Sequence, residues 1–440
     1  MIQQKKLHQL FFPIFFEILF MMLTGAVDTL MLSSVGDQAV GAVGTANTYI
    51  SIFIIMFSII SSGVMAVMTQ YIGAGRPGVA RQAMVMGSLF NLTVGLFLTF
   101  GLTLGARWIL QTVGIAAQLL EDAQTYMQVV GLFCICNALC PIFSGYLRSF
   151  GHASPTLAAT ITANLVNVAL NALFLFYFHW GVWGVALATG ISRLVNLLWL
   201  TGATVRYVQV QKDPHPPKNA ALLGQIIRVG LPAAMETSLY NLAITLVIRF
   251  LNQMDDTGMQ ATARSYAMQI TNFSYSAGAA LAHANAILAG WRIGAGKIEE
   301  CNRGTRTAAM IGVLIGAGSA TVFAFAARPL VGLFTDDPDM VRLVSILLAI
   351  DIALEVGRVL NLVYGIALKT SGDAVYPMVI AVVFAFLCAA GGTWFFGIHL
   401  GWLAIGAYVA MALDECVRAV FMVLRWKSGL WKKHRIVHEA

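Results

Sequence analysis

The sequence predicts an all-α integral membrane protein with twelve transmembrane helices in two parallel six-helix repeats. Three observations predict it. The 440 residues are 58% hydrophobic and only 11% charged, against about 25% charged in soluble domains. The apolar residues gather into twelve stretches, each about 20 residues or more and so able to cross roughly 30 Å of hydrocarbon. Finally, the chain repeats itself. Ile72-Gly73-Ala74-Gly75 returns as Ile293-Gly294-Ala295-Gly296 at an offset of 221, with Arg76 following the first copy and Lys297 the second. The same offset pairs Leu147-Arg148 with Leu368-Lys369, Gly151 with Gly372 and Ala153 with Ala374. Pro13 and Glu17 pair with Pro232 and Glu236 at an offset of 219. Duplication of a half, in a chain this apolar, is the pattern of a transporter built from equivalent bundles.

The spans follow in order. Span 1 (12–34) opens at Pro13 and carries Glu17 and Asp28; it lacks a small-residue cleavage site and reads as a retained span. Spans 2 and 3 (47–72 and 84–106) flank the first Ile-Gly-Ala-Gly turn, and span 4 (124–146) holds Cys134, Cys136 and Cys140. Span 5 (156–178) carries Asn164, Asn167 and Asn171, and span 6 (182–204) carries Arg193. Residues 205–221 are the most polar connector, with prolines at 214, 216 and 217 that block a continuous helix. Span 7 (229–251) opens at Pro232 and carries Glu236, Tyr240 and Asn241; spans 8 and 9 (265–291 and 306–327) flank the second turn. Span 10 (341–364) carries Asp351, Glu355, Arg358 and Asn361. Span 11 (375–396) has no asparagine, and span 12 (401–425) carries Asp414, Glu415 and Arg418. The expected organisation is therefore an N-lobe over 1–204, a cytoplasmic linker over 205–221, a C-lobe over 222–427 and a basic tail over 428–440. Six spans per half is an even number, so both halves enter and leave on one side and the repeats are parallel.

Lys and Arg set the orientation. With a cytoplasmic N-terminus, the inner segments hold 19 of them and the outer segments five, Arg264 among the latter; Arg193, Arg358 and Arg418 fall within spans. The bias places both termini in the cytoplasm, and it accounts for the formal net charge of +7 without nucleic acid. The tail, with Lys432-Lys433-His434-Arg435, is expected to lie on the membrane surface among lipid headgroups. None of the six cysteines falls in an outer loop, which argues against a disulfide framework. The three on span 4 have no histidine or acid beside them, so they read as packing residues, not metal ligands.

Charged side chains at mid-membrane cost at least about 2.5–3.5 kcal/mol each on insertion scales. The chain nevertheless keeps seven acids in spans: Glu17, Asp28, Glu236, Asp351, Glu355, Asp414 and Glu415. Asp28 has no basic neighbour one turn away, so it is expected to take up a proton or sodium as water access changes; the alternative is a structural hydrogen bond to a neighbouring helix. Glu17, eleven residues earlier on nearly the same face, lies near the inner mouth, where it is a path residue or a solvated rim residue. Asn164, Asn167 and Asn171 share one side of span 5 and offer carbonyl oxygens to a hard cation or bridge helices. On span 10, Glu355 and Arg358 can pair within the helix, leaving Asp351 less compensated on a polar stripe that suits a substrate path. Asp414 and Arg418, at i and i+4, suit a structural pair. Arg193 has no local partner and needs one from another helix.

These residues resemble those of the multidrug and toxic compound extrusion (MATE) transporters, in their NorM-like bacterial branch. The carriers are Val27-Asp28-Thr29-Leu30-Met31, Gln70-Tyr71-Ile72-Gly73-Ala74-Gly75, Leu147-Arg148-Ser149-Phe150-Gly151, Asn167-Val168-Ala169-Leu170-Asn171 and Leu368-Lys369-Thr370-Ser371-Gly372-Asp373. The resemblance covers essentially the whole chain. It implies a V-shaped bundle in the bacterial inner membrane, acting as a monomer, that exports amphipathic or cationic organic compounds in exchange for H+ or Na+. It implies a cation site of Asp28, Asn167, Asn171 and Thr189, and a helix bend at Pro13 that follows the state of that site. Asn171 departs from the many members with aspartate there. One carboxylate remains, which favours a proton over tightly bound sodium; no metal is expected beyond that sodium. Glu236 sits earlier on span 7 than the glutamate of some members, which lies near Tyr240. The C-lobe polar set of Glu236, Tyr240, Asn241, Asp351, Glu355 and Arg358 is accordingly expected to line a substrate path. The rival within transport is an exporter of lipid-linked substrates or flavin-type metabolites. An intramembrane enzyme would need His-Glu-x-x-His, Gly-x-Ser-x-Gly or paired histidines, all absent from the sequence. A channel would pass its ion without coupling. No organic cofactor is expected.

Overall fold

A computed structural model describes residues 5–112, 115–255 and 257–437, the side chains of Ala26, Asp37, Ile55, Ser58 and Ile59 excepted. The final three residues of the basic tail lie outside the described residues. Fifteen α-helices follow one another, with no strand among the described residues. They are α1 (Leu7–Ser33), α2 (Asp37–Gly73), α3 (Pro77–Leu104), α4 (Ala106–Thr112), α5 (Leu120–Leu132), α6 (Cys134–Ser149), α7 (Ala153–Ala172) and α8 (Gly181–Tyr207). Then come α9 (Asn219–Asn252), α10 (Met259–Gly294), α11 (Ile298–Phe325), α12 (Ala327–Val331), α13 (Pro338–Ser371), α14 (Val375–Phe384) and α15 (Leu403–Ser428). The short α4 and α12 aside, and with α5–α6 taken as one bent span, these match the twelve predicted spans in order.

Seven helices among the described residues are long and apolar enough to cross a membrane: α1, α3, α7 extended to Tyr177, α8, α9, α11, and α14 extended to His399. The α5–α6 pair, bent by 48°, makes an eighth. The other four long helices are α2, α10, α13 and α15. Small or polar residues dilute the first two, and α13 and α15 carry the buried charges. Their inward faces pack on protein, so they need not be apolar all round.

The chain forms two compact units, Met1–Gly230 and Leu231–Ala440. The division falls inside α9, and the polar connector packs with the first unit. Arg76 donates from Nε and Nη2 to the two carboxylate oxygens of Asp213 at 3.2 and 3.1 Å, and from Nη2 to the His215 carbonyl at 2.7 Å. The first unit has an apolar core of Ala42, Ala46, Leu102, Leu110, Met127 and Ala186. The second has its own, including Val247, Leu251, Ala267, Leu347 and Ala407.

The duplication is built into backbone geometry. Gly75 and Gly296 turn at φ +74° and +72°, a region open to glycine at little cost. In both copies the chain closes on the preceding helix, with Arg76 N–H donating to Tyr71 O at 2.9 Å and Lys297 N–H to Arg292 O at 2.8 Å. Gly151 and Gly372 repeat the device after α6 and α13, at φ +82° and +104°. At the opposite end a further pair appears. Leu173–Tyr177 and Ala385–Gly391 are both π-helical. Trp180 then stacks on Phe174 at 4.9 Å, and Trp402 on Phe396 at 5.6 Å.

Two expectations are corrected. Pro13 and Pro232 were expected to open their spans, but α1 begins at Leu7 and α9 at Asn219, so both prolines lie inside helices. Each therefore removes a backbone hydrogen bond to the residue four earlier, a site of easy bending. Arg264, expected in an outer segment, lies in α10 and is only 8% exposed. The helix starts before the apolar stretch does, and the arginine turns inward.

Candidate functional site

In the first unit the acid of span 1 meets the asparagines of span 5. Asn171 Nδ2 donates to Asp28 Oδ1 at 2.8 Å and lies 3.3 Å from Asn167 Oδ1. Asn167 and Asn171 are buried, and Asn171 Oδ1 accepts no hydrogen bond from the described residues. Asn164 is set apart, donating to the Phe20 carbonyl at 3.0 Å, and so bridges α7 to α1. Thr189 on α8 donates to Val185 O at 2.9 Å and also lies within reach of the buried Tyr126 hydroxyl, which Asn47 approaches too. Arg193, one turn further along α8, acts electrostatically on Asp28, which is thus the partner from another helix that Arg193 needed. The structure thus brings together Asp28, Asn167 and Asn171, reaches the expected Thr189 only through Tyr126, and adds Tyr126, Asn47 and Arg193. One carboxylate and several neutral oxygens can hold a proton or one small hard cation, and Arg193 competes with any cation for the carboxylate.

In the second unit the charges of α13 and α15 interlock. Arg358 pairs with Glu355 one turn away on its own helix and lies 3.9 Å from Glu415 Oε1 on α15. Arg418 Nη2 lies 2.6 Å from Asp414 Oδ2 and 2.9 Å from Glu415 Oε1. Asn361 Nδ2 closes the network with a 2.9 Å bond to Glu415 Oε2. The Tyr240 ring faces the Arg418 guanidinium at 5.0 Å, and the Tyr275 ring faces Arg358 at 5.9 Å, geometry that stabilises a cation against an aromatic face. Asp351 is 2% exposed, and its Oδ2 accepts no hydrogen bond among the described residues. Arg264, likewise buried, lies near Tyr240, Tyr408 and Arg358. The set therefore comprises four buried acids (Asp351, Glu355, Asp414, Glu415), the buried arginines Arg264 and Arg418 and the partly buried Arg358, an excess of one acid.

Two expected path residues have other partners. Glu17 is 5% exposed, not a solvated rim residue: it pairs with Arg148 and accepts the Thr156 hydroxyl at 2.7 Å. Glu236 pairs with Lys369 Nζ at 3.0 Å. Lys369 is eleven residues beyond Arg358, about 16 Å along α13, so the structure does not bring Glu236 to Asp351. The two pairs are equivalent: an acid of the first helix in each repeat meets the base that ends the fourth. Asn241 is exposed and contributes no side-chain bond to the network among those described. The six cysteines are free, and no group of three or more potential metal ligands forms among the described residues.

Known proteins resemble this chain along its length. The MatE family model matches it twice, over residues 13–173 and 232–394, so each match begins at one of the paired prolines. YisQ, an uncharacterised transporter of Bacillus subtilis, is 31% identical over 97% of this chain and 94% of its own. A probable multidrug resistance protein NorM of Thermotoga maritima is 23% identical over 99% and 94%. A crystal structure of a MATE protein in a bent conformation superposes with a TM-score of 0.88 at 19% identity, covering 97% of this chain and 96% of the other.

Proposed function

This chain belongs to the MatE family of multidrug and toxic compound extrusion transporters, and on that premise we propose that it is a secondary active efflux antiporter coupled through Asp28. It exports amphipathic or cationic organic compounds across the bacterial inner membrane, with both termini cytoplasmic, in exchange for an inward-moving cation. The observation that carries the reading is the Asp28–Asn171–Asn167 cluster. It is a single carboxylate on α1, bridged to α7, with oxygens left over. Arg193 beside it and asparagine at position 171 favour the proton as the coupling ion, because a sodium site with one carboxylate and a nearby guanidinium is electrostatically poor.

Coupling follows from differential affinity. The gradient moves substrate only if the cation binds two conformations unequally, and Asp28 exchanges its bond to Asn171 for a proton as water reaches it. Pro13, inside α1, lets the two ends of that helix move apart in angle. In the C-lobe, the acid excess suits a positively charged substrate, with Asp351 Oδ2 as its free acceptor. One proton crossing 100 mV and one pH unit supplies about 2.3 plus 1.4 kcal/mol. That supports a gradient of several hundredfold for a neutral substrate; for a monovalent cation exchanged one for one with a proton the voltage cancels, and one pH unit supports about tenfold.

The test uses purified protein in vesicles. Uptake of a fluorescent organic cation is followed under a proton gradient alone and a sodium gradient alone. Proton-driven uptake abolished in Asp28→Asn, with that variant still folded, is the expected outcome. Wild-type rates in a correctly inserted Asp28→Asn, or uptake driven by sodium alone, would overturn the assignment.

A further inference from the structure

On the first unit, away from the Asp28 cluster, lies an open groove of about 710 Å3, within the usual size of a ligand site. It is walled by the start of α1, the start of α7 and the end of α8. Its polar rim is Lys5, His152, Ser154 and Arg206; its deeper wall is Trp199 and Ala203, with Tyr207 at the lip. No carboxylate lines it, and none of the described carboxylates lies within ion-pair distance of Lys5 or Arg206. The first turn of α7, with Ser154, also faces the groove, so the positive end of that helix dipole adds to the two cations. Arg206 lies 5.7 Å from the Tyr207 ring centre, and the same ring packs on His152 at 5.4 Å. Burial and the nearby Lys5 hold the His152 imidazole below its ordinary value of 6.5, so at neutral pH it serves as a hydrogen-bonding group and the cations are Lys5 and Arg206.

The groove combines two chemistries along α8. Arg206 is seven residues beyond Trp199, about 10 Å along the axis. A cationic rim therefore stands one headgroup's depth from an indole that is 45% exposed. The neighbours of these residues, Leu198 and Val205, are 62% and 71% exposed, which marks this side of α8 as lipid-facing. Tryptophan and tyrosine favour the membrane–water boundary, and basic pockets between helices suit phosphate headgroups.

We propose that this groove binds an anionic phospholipid, its phosphate held by Lys5, Arg206 and His152 at the basic rim and its acyl chain lying along Trp199 and Ala203. The chemistry recognised is a headgroup whose phosphodiester charge is not offset by a cation, joined to a hydrocarbon chain: the choline of phosphatidylcholine would meet Lys5 and Arg206 with no carboxylate beside it, and inorganic phosphate offers an anion without the chain. The groove is separate from the transport site, so its occupancy is a different question from that of the coupling ion.

Native mass spectrometry of the full-length protein, released from detergent in the presence of phosphatidylglycerol or phosphatidylcholine of identical chains, tests this. We expect retention of phosphatidylglycerol at least fivefold above phosphatidylcholine in the wild type. The preference should fall to near unity in the Lys5→Gln/Arg206→Gln variant. Trp199→Ala should weaken both lipids while leaving the preference for the anionic one. Equal retention of the two lipids by the wild type would overturn the proposal, and that comparison needs no variant. So would an undiminished preference in the double variant, or displacement of the lipid by inorganic phosphate at millimolar concentration, which would make this a free-phosphate site.

Discussion

Removing the base from each of the two equivalent ion pairs should give unequal losses of stability, and the inequality follows from burial. In the first repeat the side chains of Glu17 and Arg148 are 6% and 19% exposed; in the second those of Glu236 and Lys369 are 21% and 22% exposed. Breaking a buried pair from one side costs about 3–5 kcal/mol because a charge is left unpaired. Arg148→Gln leaves Glu17 with only the Thr156 hydroxyl, and that retained bond puts the loss near the lower bound, about 3 kcal/mol. Lys369→Gln releases a carboxylate that is partly exposed, although its Oε2 is buried, and partly exposed pairs contribute about 1 kcal/mol or less. At about 2–4 °C per kcal/mol for units of this size, the expected falls in melting temperature are about 6–12 °C and about 2–4 °C. Thermal unfolding in detergent, read by a thiol-reactive dye on the newly exposed cysteines, measures both. In the Glu17→Gln/Arg148→Gln double variant no charge is orphaned, so part of the loss should return. If the two single variants melt within about 1 °C of each other, or the double variant falls by the sum of its parts, burial is not what sets the cost.

Three other perturbations have defined outcomes. Arg418→Gln leaves Asp414 and Glu415 buried without their nearest cation, at a cost of about 3–5 kcal/mol, and should lower the melting temperature far more than Arg206→Gln on the exposed rim. Gly190→Ala would press its methyl into the ring of Phe133 at the joint of α5 and α6, an overpacking of about 1–3 kcal/mol that a Phe133→Leu second change should partly relieve. The Arg76 guanidinium, first by its hydrogen bonds, holds the Asp213 carboxyl below its ordinary 3.8. A lowered value means that the stabilisation is present above 3.8 and is lost as pH falls through the folded-state value beneath it. Exchange protection of the His215 amide, bonded to Asp213 Oδ1 at 2.9 Å, should therefore be constant from pH 7 to 5 and drop only below 3.8. In Arg76→Gln it should be weak throughout.

The fold was legible because membrane insertion writes length and polarity directly into the chain, and because left-handed turns select glycine. Gly75, Gly151, Gly296 and Gly372 are visible in the sequence for that reason. Helix ends were less so: Pro13 looked like a start because it lies near the beginning of the apolar stretch, whereas α1 begins six residues earlier at Leu7 and takes in the polar His8 and Gln9. Asp28 could be singled out by its isolation in an apolar run. Its surroundings could not, because Tyr126, Asn47 and Arg193 come from three other helices, and only Arg193, lacking a local partner, signalled that one was owed. The equivalent pairs were half visible. All four residues stood out through the duplication, yet the partners are 131 and 133 residues apart, and nothing in a single sequence joins them. Arg264 was misplaced because an arginine at the edge of an apolar stretch reads as a loop residue, and nothing local shows that α10 starts before that stretch.

The two repeats agree in one acid–base pair and diverge in the rest of their charges. Each copy retains an acid of its first helix, the base that ends its fourth and the glycine turn, with the Glu17 pair buried and the Glu236 pair only partly so. Near mid-span the copies differ in kind. The first holds one acid against Arg193; the second holds four acids against three arginines, locked by Asn361 and Glu415. Taken as ionised, the first set is formally neutral and the second carries one negative charge. A proton added to Asp28 makes the first set cationic, while an organic cation added near Asp351 makes the second neutral. On the antiporter reading these are complementary loads. The C-lobe set gains most from a cationic substrate, and the N-lobe set is destabilised by holding its proton beside Arg193, which favours release once water reaches it. Arg193→Gln should then retain the proton longer, shifting the pH at which efflux is half-maximal upward while leaving substrate affinity in the C-lobe unchanged. A shift of the opposite sign, measured in the same vesicles, would mean that Arg193 holds Asp28 in place and does not compete for it.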